Sequence, residues 1–164
     1  MKLFLSIVLL SVTGTVFSQV STKSGLKVNG VALGDSYQQV VRKLGKPSSE
    51  KKRKADECVG GTEMILSYPG LRFRLWDEPD NPKKFSVGFL EVTSAKWNVS
   101  GARIGITAAA VKKLFGTRTG EEIDSHTKLR TWYYEMDEEK GPGNTNFAFR
   151  GGKAVSIVSL WDMC

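Results

Sequence analysis

The stretch LGDSYQQVVRKLG at 33–45 returns, seventy-one residues later and without a gap, as IGITAAAVKKLFG at 104–116. An internal repeat constrains a fold more than composition does, because each copy has to build the same local unit. The shared pattern is [LI]-G-x-[ST]-x-x-x-V-x-x-x-[LF]-G. Ser36 and Thr107 each supply a hydroxyl that can accept from the orphan N–H groups of a helix start. Gln39, three residues after Ser36, completes a capping-box pattern in the first copy. Tyr37, Val40, Val41 and Leu44 then share one helical face, which Ala108, Val111 and Phe115 repeat more thinly. Gly45 and Gly116 end the helices. A catalytic reading of Asp35 or Ser36 competes with capping, and capping is the reading that both copies share.

Behind each helix the pattern changes period. Glu63–Tyr68, Leu71–Trp76 and Phe85–Ser94 read as three strands, the second alternating Leu71, Phe73 and Leu75 with Arg72, Arg74 and Trp76. Tyr68-Pro69-Gly70 makes a turn, and DEPDNPKK at 77–84, with two prolines, makes a longer hairpin loop. In the second half Leu129–Met136, Asn146–Arg150 and Ala154–Trp161 read as strands, with GPGN (141–144) and Gly151-Gly152 as their turns. A short second helix is expected around 50–58 and again around 120–126. The resulting expectation is an α+β chain of two tandem repeats, 28–99 and 100–164. Each is a short helical segment followed by a three- to four-stranded antiparallel meander sheet. One helix covers one face of such a sheet, so the other face needs a partner or must be polar.

The first eighteen residues stand apart. Met1-Lys2, a mostly apolar run from Leu3 to Phe17 and Val16-Phe17-Ser18 form the pattern of a secretory signal peptide, followed by a linker at 19–27. Fifteen residues interrupted by Ser, Thr and Gly are short for a membrane span of about 20. The expectation is an exported chain, periplasmic or secreted, with no transmembrane segment after cleavage. The net charge of +7 gathers in part at Lys51-Lys52-Arg53-Lys54. Without interleaved aromatics that run reads as a solvated loop rather than a nucleic-acid surface. Cys58 and Cys164 are the two cysteines. In an oxidising compartment they can close one intramolecular bridge. Its loop of roughly 100 residues is worth up to about 4.7 kcal/mol in the chain-entropy account. The alternative is two unpaired thiols, the terminal one open to an intermolecular bond.

VALGDSYQQVVRKLGKP and ARIGITAAAVKKLFG resemble the helix signature of the SmpA/OmlA-type small outer-membrane lipoproteins. They resemble equally that of the β-lactamase-inhibitory proteins, whose chain is two helix-plus-sheet repeats in tandem. The resemblance implies an exported, non-enzymatic protein that works by binding other proteins. In the inhibitory family the concave sheet face and a hairpin loop of the first repeat occupy the target enzyme. The counterparts here would be the aromatic-rich strands and the loop Asp77–Lys84; no individual inhibitory residue aligns, so none is carried over. That family places disulfides inside each repeat, whereas this chain has one cysteine in each half, and it has no lipobox cysteine.

Chemistry is sparsely represented. The single histidine, His126, stands in EEIDSHTK two residues after Asp124, and no G-x-S-x-G nucleophile elbow is present. Glu121, Glu122, Asp124 and His126 read as a solvated loop rather than a metal site, and MDEEK (136–140) lacks the calcium-loop pattern. No catalytic residue, metal or cofactor is expected, with a small enzyme using His126 as the least favoured reading. Binding is better represented, since aromatic and arginine side chains are enriched at interface hot spots. The partner surface is expected at Arg72, Arg74, Asp77, Glu78, Asp80, Trp132, Tyr134, Phe147, Arg150 and Trp161, with inter-repeat packing as the competing role for the aromatics. The function expected is therefore a non-catalytic protein-interaction module of the cell envelope or secreted space. The alternative is a proteinaceous inhibitor of a hydrolase of β-lactamase or peptidase type.

Overall fold

A computed structural model describes residues 25–78, 80–136 and 143–162 of the chain. Helix α1 (Tyr37–Leu44) carries the full capping box: Ser36 Oγ accepts from the Gln39 N–H at 3.3 Å, and Gln39 Oε1 accepts from the Ser36 N–H at 2.7 Å. In the second copy, Thr107 Oγ1 accepts from the Ala110 N–H at 3.2 Å to start the helix Ala108–Phe115, called α2 below. Both helices end on glycine with positive φ and extended ψ, Gly45 at 81° and −174° and Gly116 at 84° and −154°. That backbone region is essentially closed to residues with a Cβ. Tyrosines from the sheet pin both helix ends: Tyr68 OH donates to Gly45 O at 2.9 Å and Tyr134 OH to Gly116 O at 3.4 Å.

Strands β1 (Ser49–Lys54), β2 (Thr62–Tyr68), β3 (Leu71–Glu78) and β4 (Asn81–Val92) follow α1. Strands β5 (Gly120–Ile123), β6 (Arg130–Glu135), β7 (Gly143–Arg150) and β8 (Lys153–Trp161) follow α2. All pairings are antiparallel, in the order β1-β2-β3-β4-β8-β7-β6-β5. The expectation of two tandem repeats, each a helix on its own meander sheet, is corrected by this topology. The described residues form a single eight-stranded antiparallel sheet, mostly strand, with two eight-residue helices. The finding that overturns the expectation is the β4–β8 ladder, Phe89↔Leu160 through Val92↔Ile157. The physical reason is that two separate sheets would leave β4 and β8 as apolar edges with unpaired backbone groups, and pairing them removes both edges.

Three local expectations also change. The basic run at 51–54 is neither loop nor helix but part of β1, all of whose residues are exposed. Residues 120–123 form strand β5 rather than a helix. The segment 77–84 is not a long loop: Asp77 and Glu78 continue β3, and Asn81–Lys84 begin β4. Between the pairs Asp77↔Phe85 and Glu78↔Asn81 the register shifts, so Pro82, Lys83 and Lys84 fall in a bulge. A proline is tolerated there because it interrupts no regular ladder bond.

Both helices cover the same face. Val40, Val111 and Phe115 are buried with Leu66, Phe73, Leu75, Val87, Leu90, Val92, Phe147 and Ile157 in one core. The Phe115 ring lies 5.2 Å from Phe147 and 6.3 Å from Tyr134. The lead-in to each helix is stitched to a strand, Gly34 N–H donating to Val87 O at 2.7 Å and Gly105 N–H to Ala154 O at 2.8 Å. Leu26, at the end of the expected linker, is wholly buried, and the Lys27 N–H reaches Ser100 Oγ at 3.0 Å. Cys58 is disulfide-bonded. Its expected partner Cys164 lies outside the described residues, as do the expected signal peptide and most of MDEEK. Among the described residues no helix is long and apolar enough to cross a membrane.

Candidate functional site

Strand alternation decides which side chains the helices leave uncovered. Leu71, Phe73 and Leu75 point into the core, so Arg72, Arg74 and Trp76 point to the opposite, helix-free face. The register extends this across the sheet in two rows. One runs Lys51, Ile65, Arg74, Phe89, Leu160, Asn144, Glu135, and the other Ser49, Ser67, Arg72, Glu91, Val158, Asn146, Tyr133. At the β4–β8 seam the first row is apolar, Phe89 beside Leu160, and the second sets Glu91 beside Val158. Arginines flank the seam on one side, asparagines on the other.

The arginine side is built around Glu63, whose side chain is wholly buried although it belongs to the helix-free face. Its carboxylate takes Arg53 Nε at 2.5 Å and also accepts from Arg74 Nε. The Glu63 carboxylate in turn raises the Arg53 guanidinium above its ordinary value, chiefly through that hydrogen bond. Arg74 reaches Asp56 at 3.2 Å and lies 5.3 Å from the Trp76 ring and 5.6 Å from Phe89. Arg72 pairs with Glu91 at 2.6 Å and stands 5.9 Å from the same Phe89 ring. These guanidiniums are therefore held in fixed orientation by carboxylate and ring together.

Trp76 lies against Gly88, where a Cβ would sit 2.1 Å from the indole ring. The indole is 8% exposed, and its Nε1–H finds no acceptor among the described residues. On the other side of the seam the Oδ1 atoms of Asn144 and Asn146 are likewise buried without a donor. Unpaired buried polar atoms are uncommon, and here three occur on one face. Tyr133 OH donates to Glu122 at 2.7 Å, which holds the phenol above its ordinary value.

The residues expected at the partner surface separate into groups. Arg72 and Arg74 are brought together as described. Asp77 accepts from the Thr62 N–H at 2.9 Å and braces the β2 start. Glu78 accepts from Lys84 at 2.8 Å and Ser86 at 2.7 Å, which keep its carboxyl below the usual range, and Asp80 is exposed beside it. Trp132, Tyr134 and Phe147 lie in the core beneath α2, with packing partners rather than solvent around them. Arg150 is exposed at the β7 end, and Trp161 packs half-buried near Gly34. Glu63, Phe89, Val158, Leu160, Asn144 and Asn146 were missed. Their signal is parity: each holds the same register face as Arg72 or Trp76. His126 is exposed in a turn whose Asp124 carboxylate accepts from the His126 and Thr127 N–H groups at 2.8 and 2.7 Å. Those bonds hold Asp124 below its ordinary value.

No protein-family model matches the chain, and no curated protein matches it. It is similar in structure to an extracellular protein containing a SCP domain from Bacillus anthracis str. Ames, at a TM-score of 0.50 and 14% identity. That match covers 96% of this chain and 51% of the other, so the chain spans about half the length of the protein it matches. A second match is a DUF4309 family protein (YjgB) from Bacillus subtilis subsp. subtilis str. 168, with a TM-score of 0.42 and 10% identity over 77% and 78% of the two chains. At such identities the likeness to the first is one of fold.

Proposed function

We propose that this is an exported, non-catalytic module that binds a protein partner through the helix-free sheet face. The observation that carries the reading is the pair of fixed arginines, Arg72 and Arg74, against the Phe89 ring, with Val158 and Leu160 next to them across the β4–β8 seam. Arginine and aromatic side chains held in place lose little entropy on binding, which is what hot-spot positions need. The secretory pattern of residues 1–18 supports export, as does the extracellular description of the Bacillus anthracis protein.

A second reading, inhibition of a hydrolase, is favoured by the β3–β4 hairpin. Asn81–Lys84 are all exposed, so the hairpin end stands clear of the core. This agrees with what the resemblance to the inhibitory proteins implies.

The test uses the immobilised protein and an Arg72→Ser/Leu160→Ser variant, both exposed to the extracellular and envelope fractions of the source culture. Truncating two hot-spot side chains at about 2 kcal/mol or more each weakens retention roughly a thousandfold. A retained hydrolase that loses its activity would select the inhibitor reading. Equal retention by both proteins would remove the helix-free face from the account.

A further inference from the structure

We infer that β1 is a docking edge for an extended acidic polypeptide segment, which adds to the sheet as a ninth strand. This rests on the sheet edge and is independent of the reading of the helix-free face. Strand β1 stands first in the sheet order, so among the described residues its outer side pairs with no other strand. Ala55 N–H donates to Gly61 O at 3.0 Å, and the register continues from Lys54↔Thr62 to Ser49↔Ser67. Bonded pairs alternate along an antiparallel ladder. Arg53 and Lys51 therefore turn their backbone groups inward to β2, whereas Lys54, Lys52 and Glu50 turn theirs outward. An outward row of this kind is a template for strand addition.

The side chains choose the occupant. Arg53 is engaged by Glu63, and Lys52 stands 5.0 Å from the Phe85 ring, while Lys51 and Lys54 meet no carboxylate among the described residues. Opposite charges facing each other across strands are favourable, and like charges are not. A second copy's β1 is therefore rejected by the same lysines that accept an acidic strand. The far edge, β5, carries acids, but Glu121 is engaged by Arg118 and Arg130 and Glu122 by Tyr133. A second copy's edge strand thus offers β1 one carboxylate without a cationic partner among the described residues, Glu122, and it already accepts from the Tyr133 hydroxyl.

The probe is a fluorescein-labelled peptide of alternating threonine and glutamate, with a threonine–lysine peptide as control, read by anisotropy at low salt. The acidic peptide binds and the basic one does not. Lys52→Ala weakens binding up to about fivefold, as one lost cross-strand charge pair would. Lys52→Pro weakens it roughly tenfold further, because it also removes an outward N–H while leaving the β2 ladder intact. In the unsubstituted protein, the peptide slows hydrogen exchange at the Lys52 and Lys54 amides, with Lys51 and Arg53 protected already. That measurement decides the matter even if the proline variant fails to fold. Equal affinities for the alanine and proline variants would reduce the edge to a charge effect and overturn strand addition. Absence of binding, protection elsewhere than β1, or self-association of the protein alone through β1 would overturn it as well.

Discussion

Trp76 shows how a single side chain sets the character of the helix-free face. A flat indole over Gly88 closes what would otherwise be a gap at the bulge between Val87 and Phe89, and it gives Arg74 a ring to lie on. Gly88→Ala places a methyl inside the ring's volume and should destabilise the protein by about 1–3 kcal/mol. The displaced indole should shift the emission difference spectrum, taken against Trp76→Phe, to the red. A second residue-scale expectation concerns pH. Asp124 is held low by the Thr127 and His126 N–H groups, so its ionised form is favoured in the folded turn. Its contribution is therefore complete above the ordinary aspartate value and is lost as pH falls through the lowered folded value. The amide resonances of His126 and Thr127 should report that loss, and Asp124→Asn should abolish its pH dependence while keeping the turn.

At the scale of elements, the helices depend on their caps. Ser36→Ala removes one half of a reciprocal box and should cost about 1 kcal/mol in denaturant unfolding, with Thr107→Ala costing no more. Both helices were legible because cap, apolar stripe and terminal glycine are local and agree with one another. Strands β2, β3 and β8 were legible because one face is buried and alternation records it. Strands β1 and β5 were not, since an edge strand with both faces exposed has no alternation to read. Lysines on such an edge, which suggested a loop, are a common device against unwanted pairing. Pro82 similarly hid the start of β4, because a bulge absorbs what a regular ladder could not.

At the scale of the molecule, the repeat fixed the local units but not how they join. Residues 89–92 and 157–160 carry apolar side chains on both faces, interrupted by Glu91 and Ser159, and that could mean burial within one sheet, packing between two, or central placement in a continuous one. The β4–β8 pairing selects the last, and it is what turns two small faces into one surface running from Lys51 to Glu135. The candidate site was half legible for the same reason. Arg72 and Arg74 were readable from β3 alone, whereas Phe89, Leu160 and Asn144 join them only through long-range register. Trp132, Tyr134 and Phe147 attracted notice as aromatics, but parity alone could not say which face the helices would cover.

The most direct measurement of the central claim is partner retention by three immobilised proteins of equal thermal stability. These are the unsubstituted chain, Arg72→Ser/Leu160→Ser on the helix-free face, and Lys112→Ser/Lys113→Ser on exposed positions of α2. The account predicts that one partner is retained by the first and third and lost from the second. Retention by the first and second with loss from the third would place binding on the helical side and contradict it.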